Sequence, residues 1–202
     1  MNFFKKLFGA TNNDDQNDIS PEERGKFMPE VNLPVDEKFT INFNKNGGKF
    51  LYCDDLNEVY ESFENILQEN EWHKKNVCCL DENLIEQFKT FNIEFSRNVQ
   101  QCNIFLTTCE NLVADNGSIL INSNQIGEKK LSDFPDNFIV YATTSQLVDS
   151  IGEGLRGIKA KNKSHIPTNI TTIKHFSLKE EKDFMTYGSS SKNLYLLLLE
   201  DL

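Results

Sequence analysis

The sequence lacks the features that would place it in several large classes of protein. No apolar run approaches the roughly 20 residues that span a bilayer. The first nine residues contain no apolar stretch of the about 7–15 residues that a secretory signal requires. Lys and Arg number only 21 against 31 Asp and Glu, for a net charge of −10. Because phosphate backbones repel such a chain, we expect a cytoplasmic, acidic protein that neither enters a membrane nor binds nucleic acid.

The chain also lacks the residue spacings of a metal centre. Its five cysteines are odd in number and contain no Cys-x-x-Cys pair, which argues against a disulfide framework and against a zinc or iron–sulfur site built from this chain alone. Its three histidines show no His-x-x-x-His spacing. We therefore predict no cofactor in this chain, and we predict that Cys109 is a buried apolar side chain.

Large apolar side chains are abundant, since 16 of the 202 residues are Phe. This content excludes wholesale disorder, and the length predicts one domain. The pattern of residues 1–9 predicts a short amphipathic helix. One interpretation is that it docks on this chain or on a partner, and the other is that it is a frayed terminus. Residues 10–30 are rich in Asn, Asp and Glu without periodicity. We expect 1–33 to be this helix and a flexible acidic tether, and 34–202 to be the folded domain.

Strand and helix patterns alternate along the folded part. Helical spacing predicts a helix with Asp36 as its N-cap and a stop at Gly47-Gly48, although a hairpin at Asn46-Gly47 also fits. It further predicts a helix at 56–68 capped by Asp54-Asp55, a helix at 82–89, and a long helix from a Thr144 cap through Ile158. Strands are predicted at 49–53, 77–80, 92–95, 103–106, 117–122, 137–142, 169–174 and 194–199. This order indicates an α/β fold with a mostly parallel sheet flanked by helices, to which the final strands add a mixed or antiparallel part.

A first polar segment follows the predicted strand at 103–106. In open α/β sheets ligands bind beyond the carboxyl ends of strands, and a helical turn starting there offers free N–H groups to an anion. The simpler interpretation is that Thr107 or Thr108 caps a helix and that Asn116-Gly117 turns the chain. The candidate ligand-binding residues of this segment are Thr107, Thr108, Glu110, Asp115, Asn116, Gly117 and Ser118.

Two later loops complete the candidate site. Thr168 and Asn169 follow Pro167 in a loop that enters a strand. Gly188, Ser189, Ser190 and Ser191 precede the last apolar strand, and the backbone N–H groups of such a loop can surround an anion. The simpler interpretation of both loops is a polar connection. The hypothesis is that all three segments meet at one edge of the sheet and bind an organic anion such as a carboxylate or phosphate.

A basic run ends the predicted long helix, with Arg156, Lys159, Lys161 and Lys163 in succession. Positive charge at a helix C-terminus complements the helix dipole, which is sufficient to explain it. The helix also contains Gly152, Gly154 and Gly157, each of which weakens it by roughly 1 kcal/mol relative to Ala. We expect another part of the chain to pack closely against these glycines.

The three polar segments, in this order and spacing, resemble the LUD domain of lactate-utilisation proteins. The family stretch Thr-Gly-Ala-x-x-x-Ile-Ala-x-Thr-Gly-Thr-Leu corresponds to 107–119, and Gly-Pro-Ser-x-Thr-Ala-Asp-Ile-Glu to 166–174. The closing Gly-x-His-Gly-Pro-x-x-Leu corresponds to 187–194 and the apolar strand 195–199. The acidic pair of the second motif is replaced by Thr172 and Lys174, and the His-Gly-Pro by Ser189-Ser190-Ser191, so the chain resembles a divergent member.

The resemblance covers roughly residues 36–202 and implies a fold similar to that of sugar-phosphate isomerases and coenzyme A transferases. It implies a subunit of a complex that oxidises L-lactate to pyruvate, with iron–sulfur oxidoreductase subunits as partners and the clusters in those partners. This chain would then be a non-redox accessory subunit that binds an organic anion or positions the partners. The alternatives are a stand-alone isomerase or acyl-transferase with Glu110 or Asp115 as its carboxylate, and a non-catalytic module that docks through residues 1–9.

Overall fold

The computed structural model describes residues 33–164, 166–176 and 192–201, so the helix and tether predicted before Leu33 lie outside the described residues. The helices are α1 Val35–Lys45, α2 Leu56–Glu69, α3 Glu82–Phe88, α4 Ser123–Ile126 and α5 Ile151–Lys161, with 3-10 turns at Val99–Gln101, Leu131–Asp133 and Thr144–Gln146. The strands are β1 Lys49–Cys53, β2 Asn76–Cys78, β3 Glu94–Ser96, β4 Ile104–Thr107, β5 Asn111–Val113, β6 Ser118–Ile121, β7 Asn137–Thr143, β8 Leu147–Val148, β9 Thr171–Ile173 and β10 Asn193–Leu199.

The strands form two sheets. A six-stranded sheet has the order β1-β10-β7-β4-β2-β3, and every neighbouring pair in it is parallel. A four-stranded sheet has the order β8-β5-β6-β9 and is mixed, since β6 is antiparallel to both β5 and β9. We call the side of the larger sheet where its strands end the carboxyl edge, and the side where they begin the amino edge. The predicted α/β fold with a mostly parallel sheet is confirmed.

Alternation along the central strands separates two apolar layers. On β10, Tyr195 and Leu197 face α2 and α3, whereas Leu194, Leu196 and Leu198 face α1 and the smaller sheet. A third, smaller cluster of Val113, Leu120 and Ile158 lies between the smaller sheet and α5. Parallel sheets need both faces covered, and the near-continuous apolar sequence of β10 is typical of a strand buried on both. The layers therefore follow one another in this order: helices α2 and α3, the larger sheet, the smaller sheet together with α1, and finally α5.

Local signals fix several helix starts. The Asp55 carboxylate accepts hydrogen bonds from the backbone N–H groups of Asn57 and Glu58, as predicted, and Asp81 caps α3 in the same way. Asp36 is not an N-cap: α1 begins at Val35 after Pro34, and Asp36 lies in the first turn, where its charge suits the helix dipole. The helix ends before Gly47, at φ +84°, so the predicted helix is confirmed over the alternative hairpin.

The long helix predicted from Thr144 is wrong in its first part. Thr144 begins a 3-10 turn, Leu147 and Val148 form β8, and α5 starts only at Ile151 with Ser150 as its N-cap. The physical reason is tertiary, because Leu147 and Val148 pair with Leu112 and Val113 of β5. The apolar spacing that suggested a longer helix is that of a strand followed by a helix.

The single helical turn predicted after Leu106 is also wrong. Strand β4 continues through Thr107, and the chain then enters the β5–β6 hairpin, in which Asn111 pairs with Leu120 and Val113 with Ser118. Hydrogen bonds between the two hairpin strands replace the helical ones.

Within the described ranges, no helix is long and apolar enough to cross a membrane.

Candidate functional site

Thr107 and Thr108 lie at the carboxyl edge, where β4 ends. The Thr107 side chain is buried, and its hydroxyl donates to the Thr108 carbonyl at 3.1 Å. Because no helix starts here, these residues do not present a row of free helical N–H groups. The predicted helix-start anion site at this point is therefore absent from the described structure, although the threonines do lie at the edge where ligands of α/β proteins bind.

Glu110 continues from this edge into a network of amide side chains on α4. Its backbone N–H donates to the Leu120 carbonyl at 2.8 Å. Its carboxylate oxygen Oε1 accepts from Asn124 Nδ2 and Gln125 Nε2, each at 3.2 Å. The α4 segment is itself fixed by the buried N-cap Asn122. Glu110 therefore has a defined position rather than a freely rotating side chain.

Thr168 and Asn169 reach the same α4 segment from the other side. The Thr168 N–H donates to Ser123 Oγ at 3.1 Å, and its hydroxyl donates to Glu128 at 2.8 Å. The Asn169 side chain donates to the carbonyls of Gly127 at 3.2 Å and Lys129 at 2.7 Å. The structure thus brings Glu110 of the first segment and both residues of the second segment to α4 and the residues that follow it.

The hairpin tip that contains Asp115, Asn116 and Gly117 lies at the opposite end of β5 and β6. Asn46 Nδ2 donates to the Asn116 carbonyl at 2.7 Å, and Asn42 Nδ2 to the Ala114 carbonyl at 2.8 Å. Both donors lie at the C-terminal end of α1, and β1 begins at the amino edge a few residues later. These contacts show a tip that is docked on α1, and the structure does not bring it together with Glu110.

The remaining first-segment residue, Ser118, is fully buried, and its hydroxyl has no partner among the described residues. Gly188, Ser189, Ser190 and Ser191 lie outside the described residues. The next residues along the chain, Lys192 and Asn193, lie at the amino edge, where Asn193 begins β10. The assignment of Ser118 and of Gly188, Ser189, Ser190 and Ser191 to the ligand site remains a prediction.

An open groove of about 720 Å³ lies between the β3–β4 connection, which begins at the carboxyl edge with Arg97, and the segment after α4. We call it the Arg97–Lys129 groove; its lining residues are Arg97, Asn98, Val99, Gln100, Lys129, Ser132 and Asp133. Asn169 holds the carbonyl of Lys129 and so fixes this wall of the groove. A guanidinium, an ammonium, an amide and a hydroxyl are donors that suit an anionic or strongly polar ligand.

The charges of the groove are only partly neutralised by the protein. Arg97 forms an ion pair with Glu82, and the Asp133 carboxylate accepts from the Lys130 backbone N–H at 2.9 Å. In the part of the chain that the structure describes, no carboxylate pairs with the Lys129 ammonium. Sequence reasoning missed both cations. The signal for Arg97 was its place two residues after the strand predicted at 92–95, whereas Lys129 had no local signal.

The family model of the LUD domain matches residues 37–199. This chain belongs to the LUD-domain family. The LUD domain described here is similar to the crystal structure of a DUF162 family protein from Deinococcus radiodurans, with a TM-score of 0.58 over 83% of this chain and 96% of that chain. The two sequences are 11% identical, so the likeness concerns the fold alone. A search of the curated proteins found no match.

The cysteines of this LUD domain are not activated nucleophiles. Burial raises the pKa of the thiols of Cys53 and Cys79 to about 11 and that of Cys78 to about 12, and it also raises the pKa of Cys102 and Cys109. A thiol with a raised pKa is protonated at neutral pH and reacts slowly. Cys109 is buried, as predicted. Among the described residues, no group of three or more His, Cys, Asp or Glu side chains could hold a metal ion.

Proposed function

We propose that this LUD domain binds an organic anion in the Arg97–Lys129 groove and acts as an accessory subunit beside iron–sulfur proteins of L-lactate oxidation. The observation that carries the binding part is the pair of cations, from two separate segments, on the walls of one groove. Arg97 directly follows β3 at the carboxyl edge, where ligands of open α/β sheets bind. The partner part rests on the family resemblance.

The charge balance of the molecule makes the groove distinctive. The chain carries a net charge of −10, so long-range electrostatics repel anions from most of its surface. A site that binds an anion must therefore offer a cation that no carboxylate of the protein pairs with. Lys129 is such a cation among the described residues, and Arg97, which is paired with Glu82, has a fork of N–H donors that matches a carboxylate or phosphate.

Ligand-dependent stabilisation tests the binding part. Thermal unfolding is measured with lactate, pyruvate, coenzyme A and a sugar phosphate, since a ligand at 100 times its Kd adds about 2.7 kcal/mol to the free energy of unfolding. We expect at least one of these anions to raise the Tm of the wild-type chain. Lys129→Gln and Arg97→Gln should abolish the rise. The matched control is Lys75→Gln, an exposed lysine beside the amino edge, which should keep it.

A rise in Tm that survives both groove substitutions would place the anion elsewhere and refute the groove. The partner part needs a separate measurement. The tagged chain, purified from its native cells, should carry along proteins that contain iron and acid-labile sulfide. Co-purified material without iron would contradict the partner part and leave the groove unaffected.

A further inference from the structure

The C-terminal half of α5 and the two residues after it carry a concentration of positive charge that the proposed function does not use. Between Gly154 and Ser164 the chain has four cations and no acid, although the whole molecule is at −10. We call Arg156, Lys159, Lys161 and Lys163 the basic face. All four side chains are exposed. Among the described residues, no carboxylate forms an ion pair with any of them.

The helix dipole accounts for only part of this charge. A dipole acts on charges within the last turn of a helix, and Lys159 and Lys161 are the basic residues of the last turn of α5. Arg156 lies in the middle of the helix, and Lys163 lies beyond its end at Lys161. Leu155 beside them is 41% exposed, and a Cβ on Gly157 would meet no atom within 4 Å. The face is therefore open and has both charged and apolar parts.

We infer that the basic face is the docking surface for the acidic segment of this same chain that precedes Leu33. Between residues 14 and 30 the sequence has six carboxylates and only two cations, Arg24 and Lys26. The carboxylates are Asp14, Asp15, Asp18, Glu22, Glu23 and Glu30. The resulting charge of −4 matches the +4 of the basic face. Complementary charge of this kind selects a partner surface and suppresses contact with the like-charged remainder.

The point where the chain enters the fold allows this contact. Leu33 lies just before α1, and α1 is tied to the start of α5 by an ion pair of 2.8 Å between Lys38 and Asp149. Asp149 is two residues before Ile151, the first residue of α5. The stretch from residue 14 to residue 33 can span roughly 60 Å when extended, whereas the 11 residues of α5 extend over about 16 Å. Tethering also gives the segment a high effective concentration at the face.

A zero-length carbodiimide cross-linker, which joins carboxylates to lysine amines in direct contact, tests the inference on the full chain. We expect cross-links from residues 14–30 to Lys159, Lys161 or Lys163. Their yield should fall about tenfold in 1 M salt, because the Debye length there is about 3 Å. Changing Asp14, Asp15 and Asp18 to Asn and Glu22, Glu23 and Glu30 to Gln should remove them. The control lysines are Lys74, Lys75 and Lys89, which are exposed elsewhere on the domain.

Mixing light and isotopically heavy chains separates contacts within one molecule from contacts between copies. Cross-links that join only light with light and heavy with heavy support the inference. Mixed cross-links would show that a second copy occupies the face and would overturn it. Equal yields at the control lysines, or an absence of cross-links to the basic face, would overturn it as well.

Discussion

Gly117 is the residue at which the β5–β6 hairpin touches α1. Its φ is +64°, and a Cβ at this position would lie 2.3 Å from the backbone carbon of Asn42 and the backbone nitrogen of Phe43. Backbone atoms cannot move aside as a flexible side chain can. We expect Gly117→Ala to lower the free energy of unfolding by about 3 kcal/mol, from left-handed strain and overpacking together. Urea unfolding measures the change.

Gly127 supplies the matched control. Its φ of +60° is similar, but a Cβ there would meet nothing within 4 Å. Gly127→Ala should therefore cost only the conformational strain at φ +60° and ψ −142°, about 1–3 kcal/mol and less than Gly117→Ala. Equal losses in the two variants would show that the close approach to α1 does not contribute.

Asp201 is a single side chain that organises the loop after β7. Its carboxylate accepts from Thr144 Oγ1 at 2.9 Å, from the Ser145 N–H at 2.8 Å and from the Ser145 hydroxyl at 2.7 Å. Burial opposes its ionisation, but these hydrogen bonds outweigh burial and lower the pKa of Asp201. Local sequence gives no hint of this role, because Asp201 and Thr144 are far apart in the chain.

The lowered pKa predicts a pH dependence of stability. A carboxyl group with a lower pKa in the folded state adds stability above its unfolded pKa and loses it as the pH falls through the folded pKa. We expect Asp201→Asn to cost about 1 kcal/mol at neutral pH. Its deficit relative to wild type should shrink below about pH 4. Urea midpoints from pH 7 to pH 2 measure this, and a deficit that stays constant throughout would contradict the pKa argument.

Two of the three glycines of helix α5, Gly154 and Gly157, have opposite surroundings. A Cβ on Gly154 would lie 3.0 Å from Leu120 Cδ2 and 3.1 Å from Asn111 Oδ1, so the close packing expected of this helix occurs at Gly154. Gly157 faces open space. Gly157→Ala should raise the free energy of unfolding by about 0.5–1 kcal/mol through helix propensity. Gly154→Ala should give no such gain, because the new methyl group displaces Leu120; equal gains in thermal unfolding would contradict this.

Elements set by local chemistry were predictable, and elements set by pairing were not. The N-cap at Asp55 and the stop at Gly47 depend on residues next to the helix ends, and both were predicted correctly. Leu147 and Val148 have spacing that fits a helix, yet they form β8 because β5 lies alongside. Thr107 likewise remains in a strand. A single sequence does not contain the neighbour that decides between these states.

The whole molecule should unfold as one unit, because β10 is an inner strand of the larger sheet, between β1 and β7, and contributes side chains to both of its faces. Leu196 faces α1 and the smaller sheet, while Trp72, the only tryptophan, lies in the layer against α2 and α3 with its ring edge-on to Tyr195 at 5.9 Å. We expect Leu196→Ala to cost about 2–5 kcal/mol. Tryptophan fluorescence and far-UV circular dichroism should shift together.

Leu197→Ala is the matched variant, since Leu197 is equally buried but faces the Trp72 layer. Both variants should show one transition with coincident probes. If Leu196→Ala moved the circular dichroism transition and left the Trp72 transition unchanged, the two layers would unfold separately and the single-unit expectation would be wrong.

At this same scale, the candidate site was only partly predictable. The threonines and Glu110 were proposed as site residues because they follow a buried strand, and position along a strand is a local property. Thr168 meets the same α4 segment through Ser123, more than 40 residues away. Arg97 and Lys129 line one groove although they come from different segments. No periodicity in the sequence records such a meeting.

The sequence by itself determined that the chain is an acidic α/β protein of the LUD-domain family, because composition, strand and helix periodicity and short motifs are properties of neighbouring residues. Only the tertiary structure decided that β10 inserts between β1 and β7, that the hairpin tip docks on α1, and that two cations share a groove. Each of these outcomes depends on contacts between residues far apart in the chain, whose free energies appear only when both partners are in place.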